Sequence, residues 1–470
     1  MRLFLQILSL ILVVSRWNHA TAQNCSGMNI QHEVDIASTC PQMTMTMKPD
    51  ITGRPFLYVA QKEAGLCIYD ITSISSPALI QTIPIDSLDS LHVMNLSQEG
   101  NYLYLALGNH FSNSQSPGMA IIDVSNPAVA FVKSVWKSSA TDGGAGIVKT
   151  ENNYAYLGAM THGLMILDIS DKTNIQLVSQ FMPDLSYPTG NPDTAKYNAR
   201  GMAVKNDIVY LCFDAGGIRI INTQNKLNPV ETGRFSNPVL NNLPRAYNNI
   251  VLDDTLAYVT VDYCGMEVLN LADTSNIRLV SWWNPWDCQS NSLNWFSSPG
   301  HANELEYNKN CKQLFIASGK SDLHVVDVTN PLQPDSCNFY GGVSNGMGTW
   351  GVGLYHEKIF LSYVCAIIPF SSNWTGVKIL TYTPCLTGVK DSYPDEDILL
   401  YPSPASDEVR IENKSAAATK IEIYNALGKL CCQSDAGKPV SIINIKHLPP
   451  GVYFVFLEGS KRWIKKFIKE

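Results

Sequence analysis

The segment Tyr156-Leu157-Gly158, four further residues, then Gly163-Leu164-Met165-Ile166-Leu167-Asp168-Ile169 reads as a strand, a tight turn and a second strand. The same grammar occurs seven times. Residues 58–60 lead to 65–70, 104–106 to 118–123, 210–212 to 217–222, 258–260 to 265–270, 315–317 to 322–327, and 360–362 to 376–380. Glycine precedes the second strand in six copies of seven, where a residue without Cβ suits the positive φ of a tight hairpin. Asp or Asn closes that strand in six of seven, placed to bond backbone amides in the following turn. The third residue of the strand varies freely (Cys67, Ala120, Met165, Arg219, Glu267, His324, Lys378) between aliphatic neighbours. That alternation predicts a strand with one buried face.

Apolar alternating pieces flank each copy, such as 201–204 before and 175–179 after, so the unit is four antiparallel strands. Successive Asp/Asn positions lie 53, 45, 54, 48 and 57 residues apart. Four-stranded units at that period predict an all-β, seven-bladed β-propeller, a ring without exposed sheet edges. The second-strand pattern resembles the LVIVD-repeat family over roughly residues 45–383. The resemblance implies a propeller and little about activity.

The ends carry different signals. Residues 1–22 hold a basic start, the apolar run 3–14 and a small-x-small site at Ala20-Thr21-Ala22, the pattern of a secretory signal peptide. An N-terminal segment (23–44), the propeller (45–385) and a polar, acidic, Pro-containing linker (386–396) follow. Residues 397–470 change pattern to short strands and turns, a small C-terminal β-sandwich. Twelve cysteines in an exported chain permit disulfides. Cys25 with Cys40, Cys365 with Cys385, and Cys288 with Cys311 are candidate pairs, while Cys67 and Cys212 fall inside strands as core residues. No CxxC spacing supports a zinc or redox motif.

Tyr401-Pro402-Ser403-Pro404-Ala405-Ser406-Asp407, with Ser403 where Asn is usual, opens a domain that resembles the C-terminal sorting domain of type IX secretion cargo in Bacteroidetes. Residues 423–429, including Gly428, resemble its middle strand and turn, and Gly451 with Tyr453 its end motif. The resemblance implies recognition by the type IX machinery through 397–470, passage through the periplasm, and a secreted or surface-attached product. No segment after the signal reads as a membrane span. The domain carries eleven Lys/Arg and eight Asp/Glu; removing it with Arg2 and Arg16 takes the formal charge from −7 to −12. So acidic a propeller argues against nucleic acid as partner.

Function is expected where the repeat departs from its template. The turns 107–117 and 363–375 are enlarged, and the connections 182–199 and 283–300 are long; in a propeller all four share one rim. Phe111, Trp283, Trp286, Trp295 and Trp374 lie in these loops as candidate ligand-stacking groups, or as rings that roof the propeller. His92, Arg200, Arg245, His301, Glu304 and Trp350 stand where inner strands enter the channel mouth. No nucleophile elbow, P-loop, HExxH or dinucleotide fingerprint occurs, and neither cofactor nor metal is predicted. The expected function is a secreted binding module for a glycan or protein on its aromatic loop face. The alternative is an extracellular hydrolase or lyase, acting on a polysaccharide or lactone at the channel mouth, with His301, Glu304 and His92 as the acid–base set.

Overall fold

The computed structural model describes residues 28–383, 385, 398–413, 418–425, 429–435, 440–459 and 462–470, apart from 110, 112–113, 190–192, 291–292, 344 and 367. The expected signal peptide, Cys25, the linker and Gly428 lie outside the described residues. The chain divides into two compact units, Met1–Cys385 and Leu386–Glu470.

Among the described residues, the first unit holds seven four-stranded antiparallel sheets, numbered here in chain order. Their innermost strands are Thr46–Pro49, Val93–Glu99, Ile147–Glu151, Gly201–Lys205, Tyr247–Asp253, Leu305–Asn308 and Thr349–Tyr355. Each adjoins the next, and the last adjoins the first, so the inner strands line a closed ring. Apolar side chains fill the spaces between neighbouring sheets: Leu66, Ile68, Leu103 and Leu105 pack in one cluster, Tyr104, Met119, Leu157 and Met165 in the next. Each such side chain contributes about 1.5–3 kcal/mol of burial free energy.

Sheets packed face to face bury both faces of the third strand, where alternation predicted one. Arg219 and Glu267, at the freely varying position, are fully buried. Each has its charge answered. Arg219 Nε donates to Gly216 O at 2.9 Å, Nη1 to Glu231 Oε1 at 3.0 Å and Nη2 to Tyr187 O at 2.9 Å. Glu267 accepts from Asn237 Nδ2 at 2.8 Å and Tyr247 Oη at 3.1 Å, and burial pushes its carboxyl up to about 7.

The repeated glycine has a second purpose besides the turn. Gly163 has φ +75°, and a Cβ there would lie 2.4 Å from Phe181 O; at Gly265 (φ +80°) it would lie 2.1 Å from Trp283 O. The missing side chain lets the end of the fourth strand close over the hairpin. The repeated acid is turn chemistry. Asp70, Asp123, Asp168, Asn222, Asn270 and Asp327 each accept, through Oδ1, the backbone N–H two residues on, at 2.7–3.0 Å.

The ring closes with a strand from the other end of the chain. Ile30–Ala37, outside the propeller in the sequence reading, pairs antiparallel with Gly376–Tyr382 as the outermost strand of the seventh sheet. Cys40 bonds Cys365, 325 residues away, and Cys311 bonds Cys385. Cys264 bonds Cys288 across the fifth sheet's turn and the long connection after it. The three pairings expected from the sequence are thus replaced: Cys40–Cys365 follows from ring closure, Cys311–Cys385 joins neighbouring sheets, and Cys264–Cys288 is as local as the pairing expected for Cys288. Cys337 is also disulfide-bonded, while Cys67 and Cys212 are buried thiols.

The second unit, taken by itself, has a three-stranded sheet (Ile398–Tyr401, Glu408–Asn413, Val440–Asn444) and a four-stranded one. One strand of the latter, Leu430–Asp435, is absent from the sequence reading. Val409, Ile423, Val455, Leu457 and Phe467 form its core. Buried Tyr453 stacks on Phe467 at 5.5 Å and donates to Pro449 O at 2.8 Å. Exposed Tyr401 donates to Glu412 Oε1 at 2.7 Å. Pro402 and Pro404 follow Tyr401 in the loop to the next strand, and Gly451 opens the strand carrying Tyr453.

Candidate functional site

Seven inner strands enter the ring from one end, and their first residues converge there. A cavity of about 30 Å³ is lined by Asn95, Gly146, Ile147, Arg200, Asn248, Asn249, Asn303, Glu304 and Trp350, from six of the seven sheets. It admits roughly two waters, or the tip of a larger ligand.

Glu304 is the hub of this mouth. Its Oε1 accepts from Asn95 Nδ2 at 3.0 Å and its Oε2 from Thr46 Oγ1 at 2.8 Å. One buried carboxylate of the sixth sheet thereby ties the first and second, passing the seventh. It passes over Gly351, where a Cβ would lie 2.6 Å from Thr46 Oγ1 and 3.1 Å from Glu304 Oε2. Burial raises the Glu304 carboxyl; Lys48, Thr46 and Lys149 oppose the rise. Deeper in the channel, Lys48 Nζ donates to Glu306 Oε1 at 2.5 Å, and burial lowers the Lys149 amine, with Lys48 adding to the effect. Asn248 Nδ2 donates to Ala302 O at 2.9 Å, and Asn303 Nδ2 to Thr349 O at 2.9 Å. These bonds make a polar belt from sheet to sheet around the mouth.

Arg200 is less committed. Its guanidinium lies 5.6 Å from the Trp350 ring centre, a cation–π contact. Its Nε is 3.6 Å from Asp214 Oδ2, an ion pair beyond hydrogen-bond length. Asp214 accepts from Asn198 Nδ2 at 2.8 Å. Burial pushes its carboxyl up to about 6, with Arg200 opposing and Asp262 adding. Asp262 in turn meets His301 Nδ1 at 2.7 Å through Oδ1 and accepts from Trp295 Nε1 at 2.5 Å through Oδ2.

An arc of rings surrounds this polar group. Phe111, Trp350, Phe370, His301, Trp295 and Phe296 follow one another at centroid separations of 5.5, 6.3, 5.2, 6.0 and 4.8 Å. Phe111 is 44% exposed and Phe296 61%, whereas His301 is fully buried.

Arg200, Glu304 and Trp350 therefore meet, with His301 one layer behind them. His92 and Arg245 do not line the cavity. Arg245 Nη1 donates to Leu240 O and Asn241 O at 2.9 and 3.1 Å, closing the short helical turn Pro238–Leu240. Among the loop aromatics, Trp283 is buried with Nε1 donating to Ser336 Oγ at 2.8 Å; Trp286 packs edge-on against it at 5.9 Å. Trp374 packs on Tyr363 at 5.2 Å and under Lys378. Those three are roof rather than rim. Sequence reasoning missed Asn95, Asn249, Asn303, Asp214 and Asp262. The two aspartates stand three residues before Gly217 and Gly265, a repeat position held by Lys62 and Met160 elsewhere. Among the described residues, no group of three His, Cys, Asp or Glu side chains is placed to hold a metal.

Residues 55–83, 92–135, 142–182 and 312–338 match the model of the LVIVD repeat. Residues 399–470 match that of the secretion system C-terminal sorting domain. The β-propeller domain of Myceliophteria thermophila Cps50 (Swd1) superimposes with a TM-score of 0.52 at 11% identity, covering 76% of this chain and 100% of that one. The C-terminal WD40 domain of Sif2 gives 0.48 at 11% identity, covering 75% and 98%. No curated protein matches the chain. The molecule is a β-propeller. It is built with LVIVD repeats and carries a sorting tail handled by the type IX secretion system, which makes it a secreted or surface-attached protein. Among the described residues, no helix is long and apolar enough to cross a membrane.

Proposed function

We propose that this is an extracellular binding module and that its ligand is a saccharide seated over the channel mouth. The observation that carries the reading is the ring arc Phe111–Trp350–Phe370 standing directly beside Arg200 and the polar belt. Flat rings stack on sugar faces, while amides and a guanidinium serve hydroxyl and acidic substituents. The cavity holds a substituent, not a whole sugar, so the ring of the sugar rests on the rim. A glycan array on the full chain, repeated with Trp350→Ala, tests this. Loss of the array signal in the variant, shown by a cooperative melt to be folded at the assay temperature, supports it. Protein-only capture, or binding indifferent to Trp350, sinks it.

A second reading, polysaccharide hydrolysis or lyase chemistry, draws on Asp214, whose carboxyl at about 6 suits proton transfer near neutral pH. Turnover of a bound saccharide, lost in Asp214→Asn, would replace the binding reading; inert retention of the saccharide excludes it.

A further inference from the structure

We infer that the mouth takes a carboxylated saccharide, the acid group of a uronate-type sugar seating on Arg200 while the sugar ring lies against Trp350. This rests on the saccharide reading above and adds the ligand's charge.

Arg200 is the single cation in the cavity lining among the described residues. A guanidinium offers five donors, arranged to grip a carboxylate. No protein acceptor among the described residues bonds its Nε, and the Asp214 oxygen stands off at 3.6 Å. The Trp350 side chain, 5.6 Å from the guanidinium, has no acceptor atom to occupy those donors. Asn249 adds a donor, because its Oδ1 is taken by the Ile250 N–H, leaving its NH2. The cavity, about 30 Å³, fits a carboxylate and excludes a sugar ring. Glu304 is the anion in the lining that opposes such a ligand. Both its oxygens are engaged by Asn95 and Thr46, and Lys48 and Lys149 offset its charge in part, against Glu306, which adds to it.

Asp214 competes with the ligand for Arg200. The charged groups facing it are Arg200 and Asp262, the latter held by His301 and Trp295; Asn198 donates to it. Its carboxyl takes up a proton as pH falls through about 6. Below that pH Arg200 is released, while a sugar carboxylate, ordinarily near pKa ~3.5, stays ionised. Affinity for acidic sugars therefore rises as pH falls from neutral, and affinity for neutral sugars does not.

Calorimetry on the full chain tests this with oligogalacturonate and oligoglucuronate, each against its carboxyl-reduced neutral counterpart. The acidic form of one pair is expected to bind about fivefold tighter at neutral pH, the worth of one well-placed ion pair. The ratio grows about threefold more at pH 5, as the competing charge is lost. Arg200→Gln removes the preference, so that acidic and neutral forms bind alike; Arg200→Lys restores part of it. Asp214→Asn gives the low-pH affinity at every pH. Equal binding of acidic and neutral forms, or a preference that survives Arg200→Gln, overturns this inference and leaves the saccharide reading standing. An oligoglutamate that binds as well as the uronates, with the same Arg200 dependence, overturns it in favour of an acidic peptide. If no saccharide of either charge binds, both readings fall together.

Discussion

Two aromatic clusters on the propeller differ in what surrounds their rings. Between the fifth and sixth sheets, Trp283, Trp286, His324 and Phe339 pack at centroid separations of 4.9–5.9 Å. Burial pushes the His324 imidazole down to about 4, so it is neutral and serves as another flat ring. The polar atom of Trp283 is spent on Ser336. At the mouth the rings flank Arg200, Asp214 and Asp262, and Phe111 and Phe296 remain exposed. Aromatic content alone marks packing. Rings beside a guanidinium with no close acceptor among the described residues are what the proposed binding role rests on.

Substitutions can break that contrast. The largest expected effect is Trp283→Ala, which removes a buried ring and costs about 3–5 kcal/mol of stability. Denaturant melts should show it, with saccharide affinity unchanged in the protein that remains folded. Acid strains the same cluster. A base whose folded pKa is depressed loses stability as pH falls from its unfolded value, about 6.5, through about 4. Unfolding free energy should fall over that window by an amount on the order of 2 kcal/mol, read from denaturant melts, and His324→Phe should flatten the slope. Glu304→Ala crosses the divide, stranding the Thr46 and Asn95 donors. It should cost about 1–3 kcal/mol and also weaken binding, measured by melts and calorimetry together. Trp350→Ala is the reverse of Trp283→Ala: affinity drops about tenfold, the loss of one stacked ring. The smallest effect belongs to Phe296→Ala, whose exposure keeps stability within about 0.5 kcal/mol. A large stability loss there would erase the distinction between rim and roof.

The repeat made much of this legible. Glycine before the third strand and acid after it are local requirements of a turn, so the sequence displays them directly. Because the repeats align, they also locate where each inner strand begins, and Arg200, Glu304 and Trp350 follow. The same alignment misplaced Arg245, since a nearby helical turn offered its carbonyls at shorter range. Arg219 and Glu267 look like surface residues by alternation. Their partners are Tyr187 and Asn237, from the connections that precede their sheets, and Tyr247, from the innermost strand of Glu267's own sheet, none of which the alternation sees. The Cys40–Cys365 disulfide and the strand 30–37 were hidden for a related reason. Ring closure is the one contact that spans the whole propeller sequence, and sequence nearness is a poor guide to it.

The Cys311–Cys385 bond has a mechanical consequence. The chain leaves the propeller at Cys385, and the sorting domain lies beyond that point. Tension applied from the tail, during export or at a surface anchorage, first meets a covalent branch. One path passes into the sixth sheet at Cys311, and the other runs back along Gly376–Tyr382. That strand is held on both edges, by Ile30–Ala37 and by Lys358–Tyr363. Hydrogen bonds of the seventh sheet are therefore not unzipped one at a time from the end. The ring is strain-relieved at its exit, as a cable is clamped where it leaves its housing.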